Sequence, residues 1–294
     1  MKRILSYEIN EDYAGLSIQE FLKQQGYSTK VITYVKRTDM GLCIHGERVR
    51  TNHILRLGEV LKVSIVEEVG SINIVPTNIP IQIVYEDEDI LIINKAADVP
   101  IHPSQGNFDN TLANMVAYYF EAQGEKVVFR CINRLDRDTT GLLILAKNML
   151  SGCILSDMMV KREIQREYHA IVSGHIVESG TIDAPIAREV ASTILRCVDF
   201  ENGERAVTHF NRLKITNECS YVALKLETGR THQIRVHMQY MGHTLLGDSL
   251  YGGDKDRIGR QALHSYRLQF KHPITKEILD FIAPIPVDMR KIIE

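Results

Sequence analysis

The sequence predicts an α+β protein built on a mixed, mainly antiparallel sheet with flanking helices. Short apolar runs bounded by turn residues outnumber the helical stretches. Neither G-x-x-x-x-G-K-[ST] nor G-x-G-x-x-G occurs, so the phosphate-binding signatures of doubly wound nucleotide folds are missing. No internal period is present, which argues against a solenoid or propeller.

The 294 residues are 44% hydrophobic and 24% charged, enough for a sizeable core and too apolar for disorder. No apolar run approaches the roughly 20 residues that cross a bilayer. The opening MKRILSYEINED has neither a long apolar segment nor a small-residue cleavage site, so a cytoplasmic location is expected. Basic residues number 35 and acidic ones 37. That balance gives no general pull toward polyanions and leaves room for a local basic groove. Cys43, Cys131, Cys153, Cys197 and Cys219 are widely spaced with no CxxC pair, which favours reduced, buried thiols over a disulfide scaffold or zinc knuckle.

Residues 1–70 are expected to form a separable small α/β domain. LSIQEFLKQ places Leu16, Phe21 and Leu22 near one helical stripe and stops at Gly26; Ser28 then caps a helix over 29–38 that buries Val31, Ile32 and Val35. Short strands follow, with Leu42 and Ile44 alternating, then Leu61, Val63 and Ile65. Between 30 and 66 stand seven basic residues against three acidic, a bias that fits a solvated face as well as it fits RNA. SINIVPTNIPIQ, 71–82, reads as a linker, leaving 83–294 as the main domain.

The main domain opens with a hairpin whose strand cores are Ile81 to Tyr85 and Ile90 to Ile93, ending at Lys95. A helix over about 109–122 is capped by Asp109 or Asn110. CINRLDRDTTGLLILAKN sets six charged or hydroxyl residues ahead of LLILA, a near-continuous apolar run suited to a buried strand. A helix at about 149–160 and successive short strands follow, with a second helical stretch, THQIRVHMQYMG, closed by Gly242. The tail holds a strand pair with Pro273 in its turn.

Arg134 and Asp136 point the same way in an extended chain, and a guanidinium favours the ionised form of a neighbouring carboxylate. From spacing alone the pair reads as a structural ion pair ahead of a nucleophile with its stabiliser. Tyr168 offers a flat apolar face with a polar tip, suited to stacking on a base. Arg230 heads a helix that also carries His232, Gln233, Arg235 and His237, and can serve a carboxylate or a phosphate. His232, His237 and His243 do not share a helical face, so a metal site is not expected. Asp248 and His264 read as loop-fixing or substrate-adjacent polar groups.

Taken in order, INRLDRDTTGLLILAK, REYHAIV, TGRTHQIRVHMQYMGHTLLGDSLYGG and ALHSYRLQFKHPIT resemble the signature of the RluA-type RNA pseudouridine synthases, over about 80–290. The basic N-terminal segment is similar to the alpha-L RNA-binding domain that many members carry. The resemblance implies the pseudouridine synthase fold, a bent mixed sheet with an RNA cleft. It implies that Asp136 is the catalytic aspartate, Tyr168 the tyrosine that stacks on uracil, and Arg230 the basic partner of the aspartate. Arg134, Ile234, Lys95, Arg235 and His264 are then substrate-binding positions. The implied reaction has no redox or phosphoryl step, so no cofactor or metal is expected. The partner is structured RNA, large-subunit ribosomal RNA ahead of transfer RNA; a monomer is the family default, with no obligate protein partner and no membrane. Three departures stand out: Asn133 replaces the usual His, Ala96 follows Lys95 in place of Pro, and Ser28 precedes Thr29 where Ser-Arg is common. A non-catalytic RNA-binding protein on the same fold is the rival reading.

Overall fold

A computed structural model describes all residues of 1–294 except 72, 191 and 217. The N-terminal unit runs β1 (Lys2–Glu8), α1 (Ile18–Gln24), α2 (Thr29–Arg37), β2 (Leu42–Ile44), β3 (Glu47–Arg48) and β4 (Val60–Val66). Its sheet has the order β1-β4-β2-β3, and β1 lies antiparallel to β4 with Leu5 opposite Val63. Ser17 caps α1 in a reciprocal box with Glu20, and the Ser28 hydroxyl caps α2 by accepting from the Val31 N–H. The alternation does not announce β1, because this edge strand buries a single residue, Leu5.

The main domain continues with β5 (Ile83–Glu86), β6 (Ile90–Lys95), α3 (Leu112–Glu121), β7 (Thr140–Ala146), α4 (Met149–Val160), β8 (Gln165–Ser173), β9 (Ser179–Asp183), β10 (Ile186–Arg188), β11 (Arg196–Val198), β12 (Val207–Ile215), β13 (Cys219–Leu226), α5 (Gln233–Tyr240), β14 (Leu263–Lys271), β15 (Ile278–Ile282) and α6 (Val287–Ile293). Its principal sheet has the order β5-β6-β7-β14-β8-β13-β12-β9, with β15 also on β14. The pairs are antiparallel except β7 with β14. The predicted α+β class therefore holds. The cap of α3 is Thr111, one residue beyond Asn110 and two beyond Asp109, the expected caps, because Thr111 and Asn114 form a buried capping box.

The pairing partners change along β14, with a register shift between Ser265 and Arg267. On one side His264 and Ser265 pair with β7 and Arg267 to Lys271 with β15, while β8 runs along the other side from Leu263 to Gln269. Gly141 makes the parallel pairing possible: its φ is +109°, and a Cβ there would stand 2.2 Å from the Ser265 carbonyl oxygen. No described helix is long and apolar enough to cross a membrane.

Alternation along β6 and β7 divides two cores. Ile90, Ile92, Leu142, Ile144 and Ala146 face α4 and the N-terminal unit, in one cluster with Phe21, Leu22, Val35 and Val63. Leu91, Ile93, Leu143 and Leu145 face the other way, in a cluster with α3, Tyr168, Leu224 and Ile234. The N-terminal unit is thus docked on the main domain through a shared core, where composition alone suggested a separable module. Polar anchors fix the joint. The Arg3 guanidinium donates twice to the Asp89 carboxylate, at 3.1 and 2.9 Å, and Asp89 also accepts from Asn148 at 2.8 Å and Ser151 at 3.1 Å. Glu67 accepts from Arg130 and from the Met149 N–H.

Because the Asp89 side chain is only 3% exposed, removing its cationic partner leaves an uncompensated buried charge. Arg3→Ala should lower the unfolding free energy by about 3 kcal/mol in a denaturant titration. Hydrogen exchange should quicken first in β1 and β4.

Candidate active site

An open cleft of about 820 Å³ runs along the main domain, bordered by Arg134, Asp136, Arg166, Tyr168, His232 and Ile234. Asp136 lies in the turn that leads into β7, closed by the Thr139 N–H donating to the Asp136 carbonyl at 3.1 Å. Buried Asn133 holds the preceding segment against β7. Its Oδ1 accepts from the Ile144 N–H at 2.9 Å, and its Nδ2 donates to the Leu142 carbonyl at 3.3 Å. An amide supplies both a donor and an acceptor, so this position serves the loop's backbone.

The partner of Asp136 is Arg235. Nη1 of Arg235 donates to Oδ2 of Asp136 at 2.9 Å, while its Nε and Nη2 form a fork on Asp248 at 2.7 and 2.8 Å. The guanidinium also lies over the Tyr251 ring, 4.9 Å from the centroid. Burial works against its charge, but the hydrogen bonds and charges of Asp248 and Asp136 outweigh that and hold its pKa above the ordinary value. This corrects two expectations. Arg230, expected to pair with the aspartate, instead bonds Glu204 and donates to the Arg205 carbonyl at 3.2 Å. It precedes α5 and points to the cleft mouth, whereas Arg235 sits within the helix among buried neighbours. Arg134 is exposed on the cleft and makes no ion pair with Asp136 among the described residues.

Tyr168 projects from β8 opposite Leu224 and Ser265, is 5% exposed, and shares an apolar cluster with Ile234. No hydrogen bond of its hydroxyl exists among the described residues. The remaining two expected substrate-binding residues lie elsewhere. Lys95 is 2% exposed and donates to the carbonyls of Ala96 at 2.8 Å, Val99 at 3.0 Å and Arg137 at 2.7 Å. Burial pushes its pKa down to about 7, against the pull of Asp138 and Asp136. Its geometry is that of a clamp beneath the Asp136 loop. His264 is 1% exposed and joins β14 to β7 through the Thr140 hydroxyl at 2.8 Å. Burial lowers its pKa to about 4. Neither side chain borders the cleft, because strand pairing turns both inward.

Several residues have roles that the sequence did not assign. Gln233 fixes the start of α5: its Oε1 accepts from the Thr228 hydroxyl and the Arg230 N–H, and its Nε2 donates to the Val207 carbonyl and Thr208 Oγ1. Arg166 stands two residues before Tyr168, on the same strand face, and borders the same cleft. It has no ion pair among the described residues, and its Nε is buried without a hydrogen-bond partner. His237 is structural, spanning Thr208 and the Ala184 carbonyl. A separate grouping of Asp87, Asp89 and His272 lies at the β5–β6 turn, the opposite end of β6 from Lys95, where Asp89 is already engaged by Arg3.

Arg235 and Asp248 carried a legible signal that composition hides: a charge flanked by apolar residues in IRV, and a carboxylate in the Gly-rich turn LLGDSLYGG. Buried charges need partners. Asp248→Asn puts an amide donor against the guanidinium and should lower stability by about 3 kcal/mol in urea unfolding.

Known proteins resemble this chain in sequence and in fold. The profile of the RNA pseudouridylate synthase family matches residues 89–240. The chain is 41% identical over 280 residues to the Bacillus subtilis protein called uncharacterized RNA pseudouridine synthase YjbO, covering 95% of this chain and 99% of that one. It is 40% identical over 233 residues to ribosomal large subunit pseudouridine synthase D of Escherichia coli, covering 74% of this chain and 71% of the relative. The solved structure of human RNA pseudouridylate synthase domain containing 1 resembles it with a TM-score of 0.59 and 31% identity, over 74% of this chain and 86% of that one. With its family profile matched over residues 89–240 and a relative 41% identical across 95% of its length, the chain belongs to the RNA pseudouridylate synthase family.

Proposed function

We propose that the protein converts uridine to pseudouridine in large-subunit ribosomal RNA, with Asp136 as the reacting carboxylate. The observation that carries this is the Arg235 bridge, which fixes Asp136 at the cleft wall beside Tyr168 while Asp248 fixes the arginine. The choice of ribosomal RNA is supported by the several relatives named ribosomal large subunit pseudouridine synthase D, among them one from Escherichia coli.

The reaction is an isomerisation. The bond from uracil N1 to the sugar C1′ breaks, the base turns, C5 bonds to C1′, and the C5 proton leaves as N1 gains one. Electrons balance without a co-reactant. Positive charge develops on the sugar when the glycosidic bond breaks, and a carboxylate meets it by adding to it or by stabilising it electrostatically. A uridine in structured RNA leaves its stack to reach Asp136, at a cost of a few kcal/mol. The Tyr168 ring offers a stacking surface in return, and Ile234 keeps the pocket apolar. Arg134 and Arg166, without ion-pair partners among the described residues, suit backbone phosphates.

Asp136→Asn should slow single-turnover conversion by at least about 10²–10³-fold with RNA affinity nearly unchanged, measured by tritium release from uridine-labelled RNA. Near-normal turnover would remove the carboxylate from the reaction. Mapping pseudouridine in all stable RNAs with and without the gene should show the loss in ribosomal RNA; a loss confined to transfer RNA would reassign the substrate. Arg166→Ala should weaken binding about equally across RNA sequences and lower the salt slope of log K by about one.

A further inference from the structure

Asp136 is held asymmetrically. Oδ2 takes the Arg235 hydrogen bond and stands 3.9 Å from Nε2 of His232. Oδ1 has no protein donor among the described residues. Which oxygen meets the uridine therefore depends on what keeps Oδ2 turned toward the protein.

His232 is built for one tautomer. The Tyr251 hydroxyl accepts from the Arg196 N–H at 3.1 Å, and its own proton has a single acceptor among the described residues, Nδ1 of His232 at 2.8 Å. With Nδ1 accepting, a neutral imidazole carries its proton on Nε2, the atom facing Asp136. Burial lowers the His232 pKa while Asp136 pulls it up, and the net direction favours the neutral ring. The backbone shows the same constraint. His232 has φ 57° and ψ 19°, a left-handed conformation uncommon for residues other than Gly, Asn, Asp and His. It is the N-cap residue of α5 yet makes no side-chain cap; the Gln233 amide ties the segment ahead of the helix instead, accepting from the Arg230 N–H. The ring is thus spared for the cleft, where it stands edge-on to Tyr251.

We propose that His232, locked by the Tyr251 hydroxyl, is a positioning residue that donates from Nε2 to Oδ2 of Asp136 and leaves Oδ1 to face C1′ of the uridine. The 3.9 Å gap is about 1 Å longer than a hydrogen bond. A small turn of the carboxylate closes it, as catalytic contacts tighten when substrate packs against them. The inference rests on Asp136 as the reacting group.

Two substitutions separate this role from a structural one. His232→Gln places an amide donor near the position of Nε2, and His232→Asn places its polar atoms near Nδ1, where they keep Tyr251 company. Single-turnover rates on saturating RNA should stay within about tenfold of wild type for Gln and fall about 10²-fold for Asn, with RNA affinity alike in both. If His232 serves only to hold Tyr251, or only to occupy a left-handed position, Asn outperforms Gln and the proposal is overturned. Tyr251→Phe keeps the ring beneath Arg235 and removes the hydroxyl; it should slow turnover about tenfold. Nitrogen NMR of histidine-labelled wild type should show a pyridine-like Nδ1 and a pyrrole-like Nε2 at His232, with the preference weakened in Tyr251→Phe. A protonated Nδ1 in the wild type, or an unchanged rate in Tyr251→Phe, overturns the proposal even if the Gln variant fails to fold. An active Asp136→Asn would instead strike the reading of the site itself, so the two failures are distinguishable.

Discussion

One guanidinium shared by two carboxylates organises the cleft. Arg235 is buried, and a lone charge at that depth is expensive. Asp248 satisfies two of its donors and is itself 2% exposed, so this fork is part of the folded interior. The third contact reaches Asp136, whose side chain remains 27% exposed at the cleft. The buried half of the bridge gives the exposed half its fixed position. Preorganisation of this kind is what electrostatic catalysis needs, because nothing has to reorient as charge develops.

Around that bridge the fold works as a frame with two faces. Strand alternation in β6 and β7 sends one set of apolar side chains toward Tyr168 and Ile234, and the other toward α4 and the N-terminal unit. The two cores meet back to back across a strand, β7, that is buried along its whole length. Lys95, at the end of β6, converts this rigidity into loop geometry by gathering three carbonyls beneath the Asp136 turn. Asn133 does the same from the other side, which gives a physical reason why an amide can stand where the family usually has histidine. The departure falls on the loop's scaffold and leaves the carboxylate's own contacts intact.

Legibility varied with the range of the interaction that decides each feature. The two N-terminal helices, the buried strand expected at 142–146 and the helix at 149–160 could be read because caps and apolar runs are local. β1 escaped because one buried leucine makes no alternating pattern. Arg230 and Arg235 differ by five positions, about one and a half helical turns, and both follow the same glycine. Only the start of α5 at Gln233 and the turn that carries Asp248 select the second of them.

The amino-acid sequence alone determined the α+β class, most of the elements, and a family resemblance resting on separated motifs. Those properties depend on neighbours along the chain and on residue types in order. Tertiary structure decided which arginine meets Asp136, that Lys95 and His264 are interior braces, and that His232 faces the carboxylate with one chosen nitrogen. Each of these follows from residues tens of positions apart being brought within a few ångströms, where burial leaves every polar atom few partners to choose from.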